Sequence, residues 1–498
     1  MGVAFEVGVQ GHAVCGLPHL SKHYGGVLKC RVDLTLPCGR VCVEALTPDG
    51  SATVSSTSTM LVPERREPQA APPVSWRFYL PPLLVGLVVR TCYSLLAVQP
   101  PIPKGADQYY YQGQATLITH GYWWVVPGSV TNGSTGIPGA AHPPLFSAVL
   151  AVADYLDLHG NNAQRAFLCV VGVSAVFFCG RIGARVAGRT GEVVVAWLAA
   201  VWPGMWIYNG AVLSESVTVV LVAGTLLAFY RFHERATAAR AVVLGLTVAL
   251  CALTRPELLV LVVVFAPLWL PSKSWAQRLS LTVVFLGAAA VLVGPWVGRN
   301  LHDYSRTEII SANFGSVIVG ANCGPTYSGP LLGAWDATCA TSLHPPIGDA
   351  SVVDSYYRSV GEHYARRHLH RVPIVVAARL GRALGVWPVP SQAVTWNATA
   401  AGVWPRWSSW LYLITWWISI PFALVGAVSL RRRRILGWPL YALIVLYFVV
   451  SAALYADPRF ASSCQPAVAI LVGVGLASLI RAVFRSQGAH ARPSPLAP

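Results

Sequence analysis

The sequence reads as an all-α polytopic membrane protein, and three observations carry that reading. Of its 498 residues 54% are apolar and 11% charged, where a soluble domain carries roughly 25% charged residues. Apolar runs approaching the roughly 17–25 residues needed to span a bilayer recur along the chain. The basic residues behind the net charge of +16 fall in short clusters between those runs, the pattern of cytoplasmic loops. No basic patch lies on a soluble domain, so nucleic acid is not an expected partner.

Taken in order, residues 1–77 form an N-terminal cytoplasmic segment. Residues 1–59 hold no signal-peptide core and no spanning run. Cys15, Cys30, Cys38 and Cys42 lie there, but no two form a Cys-x-x-Cys pair, so a zinc site is not expected. Met60 opens the basic, proline-rich "MLVPERREPQAAPPVSWRF", the usual lead-in to a first membrane helix, and translation is expected to start there. An intact mass that includes residues 1–59 would overturn that expectation.

Spans are expected near 78–98, 166–184, 192–209, 213–230, 240–254, 257–271, 278–297, 410–430, 435–455 and 464–481. Arg65, Arg66 and Arg77 precede the first. Arg181, Arg185 and Arg189, then Arg231, Arg235 and Arg240, then Lys273 and Arg278, follow later ones. With Arg431 to Arg434, Arg481 and Arg485 they all fall on one side, taken as cytoplasmic, so the chain is expected in the plasma membrane. An eleventh span at 142–156 would put the clusters from Arg181 onward outside. That short segment is therefore read as an interfacial or re-entrant helix, within a count of 10–11.

A catalytic membrane core over 78–297 then carries a first outer loop, 99–165. A second extracytoplasmic region covers 298–409, C-terminal helices cover 410–482, and 483–498 form a cytoplasmic tail. In the second region, 372–388 has Arg379 and Arg382 on one face, as in a helix lying on the interface. Trp202, Trp206, Tyr208, Trp387, Trp404, Trp407 and Trp410 crowd the outer side as an interfacial belt. Cys323 and Cys339 lie on the oxidising side, where a disulfide is expected. Cys92, Cys169, Cys179, Cys251 and Cys464 read as small apolar core residues.

Ionisable residues at membrane depth are functional candidates by default. Here they are Asp107 and Tyr110 in "GADQYYYQ", His142 in "HPPLF", Glu215 in "LSES", Arg255 and Glu257 in "LTRPELL", Arg299 in "GPWVGRN", and Asp457 and Arg459 in "DPRF". The topology puts all of them at the outer surface. Arginines suit a phosphate, aromatic faces a sugar ring or prenyl chain, and a carboxylate general-base work. Structural readings compete: Arg255 and Glu257 as a pair capping helix ends, Asp457 as a turn residue, Glu215 as a first-turn acid complementing the helix dipole.

In this order, the quoted motifs resemble those of membrane glycosyltransferases of the GT-C fold, over about residues 78–480. The nearest likeness is to the family of protein O-mannosyltransferases and lipid A aminoarabinose transferases, in an actinobacterial-looking form. The resemblance implies a polyprenyl-phosphate sugar donor, inverting transfer and an acid of the first outer loop, Asp107, as base. It also implies Glu215 as an orienting acid and Arg255, Arg459 and Arg299 around the donor phosphate. The family's second acid after the base is Gln108 here. Its lysine before Pro-Pro-Leu is His142, a departure that bears on how the phosphate is neutralised. The acceptor would be a polysaccharide, a lipid or a protein. No cofactor is required; a carboxylate pair could hold a divalent cation, but no spacing demands one. The competing class is a transporter or flippase of a lipid-linked sugar, against which no internal repeat is visible.

Overall fold

The computed structural model describes residues 12–14, 29–31, 73–98, 107–131, 134–270, 273–392, 394 and 404–490, with side chains for all but 12–14, 29–31 and 484–490. The expectations placed on Cys15, Cys38, Cys42, Met60, Arg65 and Arg66 lie outside the described residues, and those on the side chains of Cys30 and Arg485 lie outside the described side chains. The chain divides into residues 1–69 and 70–498. Within the first unit, β1 (His12–Val14) pairs antiparallel with β2 (Lys29–Arg31).

The second unit is helical. Six of its helices are long and apolar enough to cross a membrane, and four shorter apolar ones accompany them. The expected all-α polytopic architecture is therefore observed. Two prolines in the first turn, Pro81 and Pro82, open α1 (Leu80–Cys92), where their missing N–H groups cost nothing. α2 (Asp107–Thr119) and α3 (Pro144–Tyr155) follow. With 12 residues, α3 is about 18 Å long, too short to span, as the reading of 142–156 requires.

α4 (Gly160–Val201) has 42 residues, about 63 Å if straight, twice a hydrocarbon core. Gly188 solves this: at φ 67°, ψ −161° it takes a backbone that β-carbons disfavour, and the helix folds back on itself. A Cβ on Gly183 would lie 2.5 Å from the Gly191 carbonyl oxygen, so the two arms touch beside the turn. Farther along, Asn209 Nδ2 donates to the Leu168 carbonyl at 2.9 Å. The span expected at 166–184 falls on the first arm; that expected at 192–209 lies on the second only as far as Val201, where Trp202 is extended and Pro203 opens a short separate turn. Arg90 of α1, fully buried without a carboxylate, donates to the carbonyls of Gly86, Ala200 and Met205 and so closes the end of the second arm.

α5 (Glu215–Glu234) is apolar on all sides from Val219 to Phe229 apart from Thr225, carries Arg231 and His233 in its last turn, and is the most enclosed of the six candidate spans, as expected for a helix whose middle has no polar face. α6 (Ala238–Ala252), capped by Thr237, runs back along it. The span expected at 257–271 is not one helix. Pro256 and Pro267 each open a short 3₁₀ turn on either side of Leu261–Val264, because a proline nitrogen cannot continue a helical hydrogen-bond ladder. α7 (Trp275–Asp303) follows.

α8 (Phe314–Ala321), α9 (Ala350–Arg367) and α10 (Val372–Ala383) are the longer helices that follow α7 in the second polar region. Cys323 and Cys339 are joined by a disulfide, their Cα atoms 6.3 Å apart. α10 does not present its arginines as a free interfacial face. Arg379 is buried, donating to the carbonyls of Ala321, Ala452 and Ala453, while Arg382 donates to those of Pro330 and Leu332. Helix and loop ends leave carbonyls unpaired, and these guanidiniums fill them.

α11 (Arg406–Arg432), α12 (Trp438–Ala453) and α13 (Gln465–His490) complete the bundle. α11 and α13 approach through glycine: a Cβ on Gly426 would lie 2.0 Å from the Leu471 carbonyl oxygen, and one on Gly475 2.2 Å from that of Phe422. Small residues at crossings are what dispersion-driven packing in lipid favours. The expected aromatic belt splits. Trp387 and Trp407 are exposed, but Trp202, Trp206, Tyr208 and Trp404 are core residues. Of the free cysteines, Cys92 is exposed and Cys169, Cys179, Cys251 and Cys464 are buried.

Candidate active site

Asp107 is the first residue of α2, and one turn on, Tyr110 and Tyr111 share its face. Their rings flank His142, at 5.1 and 4.7 Å between centroids, and Tyr111 meets Phe146 of α3 edge-on at 4.8 Å. The aromatic run after the acid thus locks α2 to the "HPPLF" segment. It leaves His142 Nε2 3.4 Å from Asp107 Oδ1.

The other carboxylate oxygen is taken from across the molecule. Arg459 Nη2 donates to Asp107 Oδ2 at 2.7 Å, and Arg459 Nε donates to Glu215 Oε1, also at 2.7 Å. Local sequence aims this arginine: Asp457, ahead of Pro458, accepts the Arg459 backbone N–H at 2.9 Å, an Asx turn in which the following proline presets φ. Arg255 reaches the same Glu215 oxygen through Nη1 at 2.5 Å and Glu257 Oε1 through Nε at 2.5 Å. It stands in extended backbone before Pro256, as residues preceding proline do. Its guanidinium lies 5.1 Å over the Phe460 ring, a cation–π distance.

One continuous chain therefore runs His142–Asp107–Arg459–Glu215–Arg255–Glu257. It draws on α2, the start of α3, α5 and the turns before Pro256 and after Asp457. Glu215 has no exposed surface, whereas the Asp107 side chain is one-third exposed. The buried end anchors the network and the open end faces what enters.

Burial pushes the Asp107 carboxyl upward, but the Arg459 guanidinium and then His142 more than reverse it, holding it well below the usual carboxylate range. For Arg459 burial works against the charge, and Glu215, Asp107 and Asp457 restore it, raising its pKa. Burial, with Glu215 adding to it, raises Asp457 above its ordinary value against the pull of Arg459 and Arg255. Four carboxylates meet two guanidiniums here, so any anion that reaches these guanidiniums must exchange with a carboxylate partner. No group of three or more His, Cys, Asp or Glu side chains converges as a metal-ligand set among the described residues.

Of the residues singled out from sequence, Asp107, Tyr110, His142, Glu215, Arg255, Glu257 and Arg459 come together. Arg299 does not join them. Its Nη2 donates to the Trp124 carbonyl at 2.9 Å and its Nε pairs with Asp303 at 2.8 Å, tying the segment between α2 and α3 to α7. Tyr111 and Phe460 are in the site without having been singled out; the i+4 spacing of Tyr111 from Asp107 was the available signal. Tyr455 also closes the site, 5.0 Å from Phe460 and 6.1 Å from Trp335 of the disulfide-closed loop.

No protein-family model matches this chain, and no curated protein matches it. Among solved structures it is similar to the archaeal oligosaccharyltransferase AglB from Archaeoglobus fulgidus, in complex with an inhibitory peptide and a dolichol-phosphate. That similarity has 14% identity and a TM-score of 0.47, over 85% of this chain and 53% of that one. The chain thus spans about half the length of that protein. It is also similar to ArnT from Cupriavidus metallidurans bound to undecaprenyl phosphate, at 16% identity and a TM-score of 0.35, over 85% of this chain and 82% of that one.

Proposed function

We propose that this chain is a membrane glycosyltransferase of the GT-C type, which moves a sugar from a polyprenyl phosphate to an acceptor hydroxyl at the extracytoplasmic surface. The observation that carries the reading is the Asp107–Arg459–Glu215 chain. It joins a partly open carboxylate to a guanidinium pair anchored on a fully buried acid.

The donor phosphate binds by drawing Arg459 from Asp107 and Arg255 from Glu257 while both stay on Glu215; guanidiniums hold phosphate oxygens in a bidentate fork. Loss of the Arg459 contact removes the main hold keeping Asp107 a weak base, so its basicity rises as the donor arrives. Asp107 then takes the proton of the acceptor hydroxyl. The acceptor oxygen attacks the anomeric carbon from the opposite face, the bond to the phosphate oxygen breaks, and its electron pair leaves on the phosphate, stabilised by the two arginines. Configuration inverts. Glu215 keeps both arginines in place, and His142, wedged between Tyr110 and Tyr111, fixes the second Asp107 oxygen.

The test uses purified protein in nanodiscs with a panel of hexosyl and pentosyl polyprenyl phosphates, mannosyl among them, and cell-envelope acceptors. Release of free polyprenyl phosphate, followed by mass spectrometry, is expected for at least one donor. Binding of donors without release of the lipid phosphate from any of them would instead favour transport.

A further inference from the structure

A second concavity lies on the other side of α2. It is an open cleft of about 540 Å³ between α2, the end of α3, the start of α4 and the turn at Pro127–Gly128. Ligand clefts commonly fall between about 300 and 1,000 Å³. Helical spacing puts Tyr109, Gln112 and Thr116 on this face with Gln108 buried at its edge, while Asp107, Tyr110 and Tyr111 belong to the other.

The cleft wall is a ladder of amides. Gln112 Nε2 donates to Asn161 Oδ1 at 2.8 Å and to Gln164 Oε1 at 2.6 Å. Gln108 Nε2 also donates to Asn161 Oδ1, at 3.0 Å, and Gln164 Nε2 donates to Asp154 Oδ1 at 2.8 Å. Gln108, Gln164 and Asp154 are buried, so the ladder is a fixed floor rather than a set of mobile surface groups.

Two features fit this floor to a ligand of one chemical class. Asp154 and His159 are the ionisable groups lining the cleft besides the Tyr109 phenol. Both oxygens of Asp154 are engaged, by Gln164, Thr116 and His159. No guanidinium or ammonium lines the cleft, and His159 is paired with Asp154 and Asp157, so the lining offers a phosphate no free cationic side chain. What remains is neutral: the Asn161 amide nitrogen, a donor that makes no hydrogen bond among the described residues, the Thr116 hydroxyl, which donates to Asp154 and keeps lone pairs to accept, and the exposed ring of Tyr109 at the rim. Amides pair with vicinal hydroxyls as donor and acceptor together, and an aromatic face covers the apolar side of a sugar ring.

We propose that this cleft binds a neutral saccharide, the part of the acceptor chain that extends past the hydroxyl presented to Asp107. The assignment rests on the glycosyltransferase reading for the word acceptor, but not for the binding itself.

The experiment reads binding without turnover. The full chain, in nanodiscs prepared free of sugar-based detergent, is titrated with methyl mannoside, glucoside, galactoside and arabinofuranoside and with short neutral oligosaccharides, and saturation transfer to the sugar protons is recorded. Transfer is expected to at least one probe. It should fall about ten-fold in apparent affinity in Asn161→Ala, the order expected for losing one or two amide hydrogen bonds. It should fall likewise in Tyr109→Ala, whose exposed ring can be removed without opening the core, and persist in Asp107→Asn. No transfer to any probe, or transfer unchanged in both cleft variants, overturns the proposal. A protein that binds saccharide here but transfers no sugar would refute the enzymatic reading while leaving the cleft assigned.

Discussion

Each end of α5 terminates in a carboxylate held by arginines, yet the two ends differ in kind. At the far end, Glu234 pairs with Arg185 at 2.8 Å and with Arg240 at 4.0 Å. Beside it, Glu192 accepts from Arg181 at 2.8 Å, from Arg189 and from the Tyr79 hydroxyl at 2.5 Å. Most of those partners are close in sequence, on the α4 hairpin turn or across a short connection, and both Glu192 oxygens are taken by groups that bury it. At the near end, Glu215 and Asp107 share an arginine 244 and 352 residues away, respectively, and Asp107 stays partly open.

The first network is what a chain does to stitch a turn. The second gathers costly charges from remote segments and leaves one accessible, which has no structural economy. Buried ion pairs alone do not mark a site; convergence from afar around an open carboxylate does.

That contrast can be broken or sharpened by substitution. Arg459→Gln should have the largest effect. It strands Asp107 and the fully buried Glu215, with a stability loss of about 3–5 kcal/mol for a broken buried pair. It should also abolish polyprenyl phosphate release, measured beside thermal unfolding in nanodiscs. Glu192→Gln should cost about 3 kcal/mol by the same mechanism, but leave turnover per folded molecule as in the parent. A turnover defect there would erase the distinction between the ends. Replacing Cys323 and Cys339 by serine should lower stability by about 3 kcal/mol, as releasing a loop of this length does in the chain-entropy account. Proteolysis of the outer segment before and after reduction checks it.

The smallest effect concerns Glu308. Burial first, then Asp354 and Asp349, push its carboxyl up to about 7. A raised carboxyl contributes stability that is full below its ordinary value near 4.5 and is lost as pH rises through about 7. Unfolding temperature of the outer segment should therefore fall over that window, and Glu308→Gln should flatten the dependence.

Much of the site was legible because hydropathy shows where each helix ends, and charges at one set of ends must share a surface. Asp107, His142, Glu215, Arg255, Glu257 and Arg459 were placed on one surface that way, and their side chains meet in one chain of contacts. Rotation about a helix axis is not legible at a helix end. Arg299 stands at the right depth on α7, but its guanidinium turns to the Trp124 carbonyl and Asp303. Trp202, Trp206 and Tyr208 likewise sit at belt depth and face inward. The amide ladder of Gln108, Gln112, Asn161 and Gln164 carried no signal of charge or hydropathy; only its i, i+4 spacing on α2 was there to read. The breaks at Pro256 and Pro267 were written in the sequence, but an apolar run read for its length conceals them.

The account turns on Asp107 being a working carboxylate rather than another staple. The most direct measurement is polyprenyl phosphate release per folded molecule in Asp107→Asn, beside its unfolding temperature. A side chain one-third exposed should tolerate the amide, so the variant is expected to remain folded while its turnover drops by about two orders of magnitude or more. A folded Asp107→Asn protein that releases the lipid phosphate at the parent rate would contradict the account.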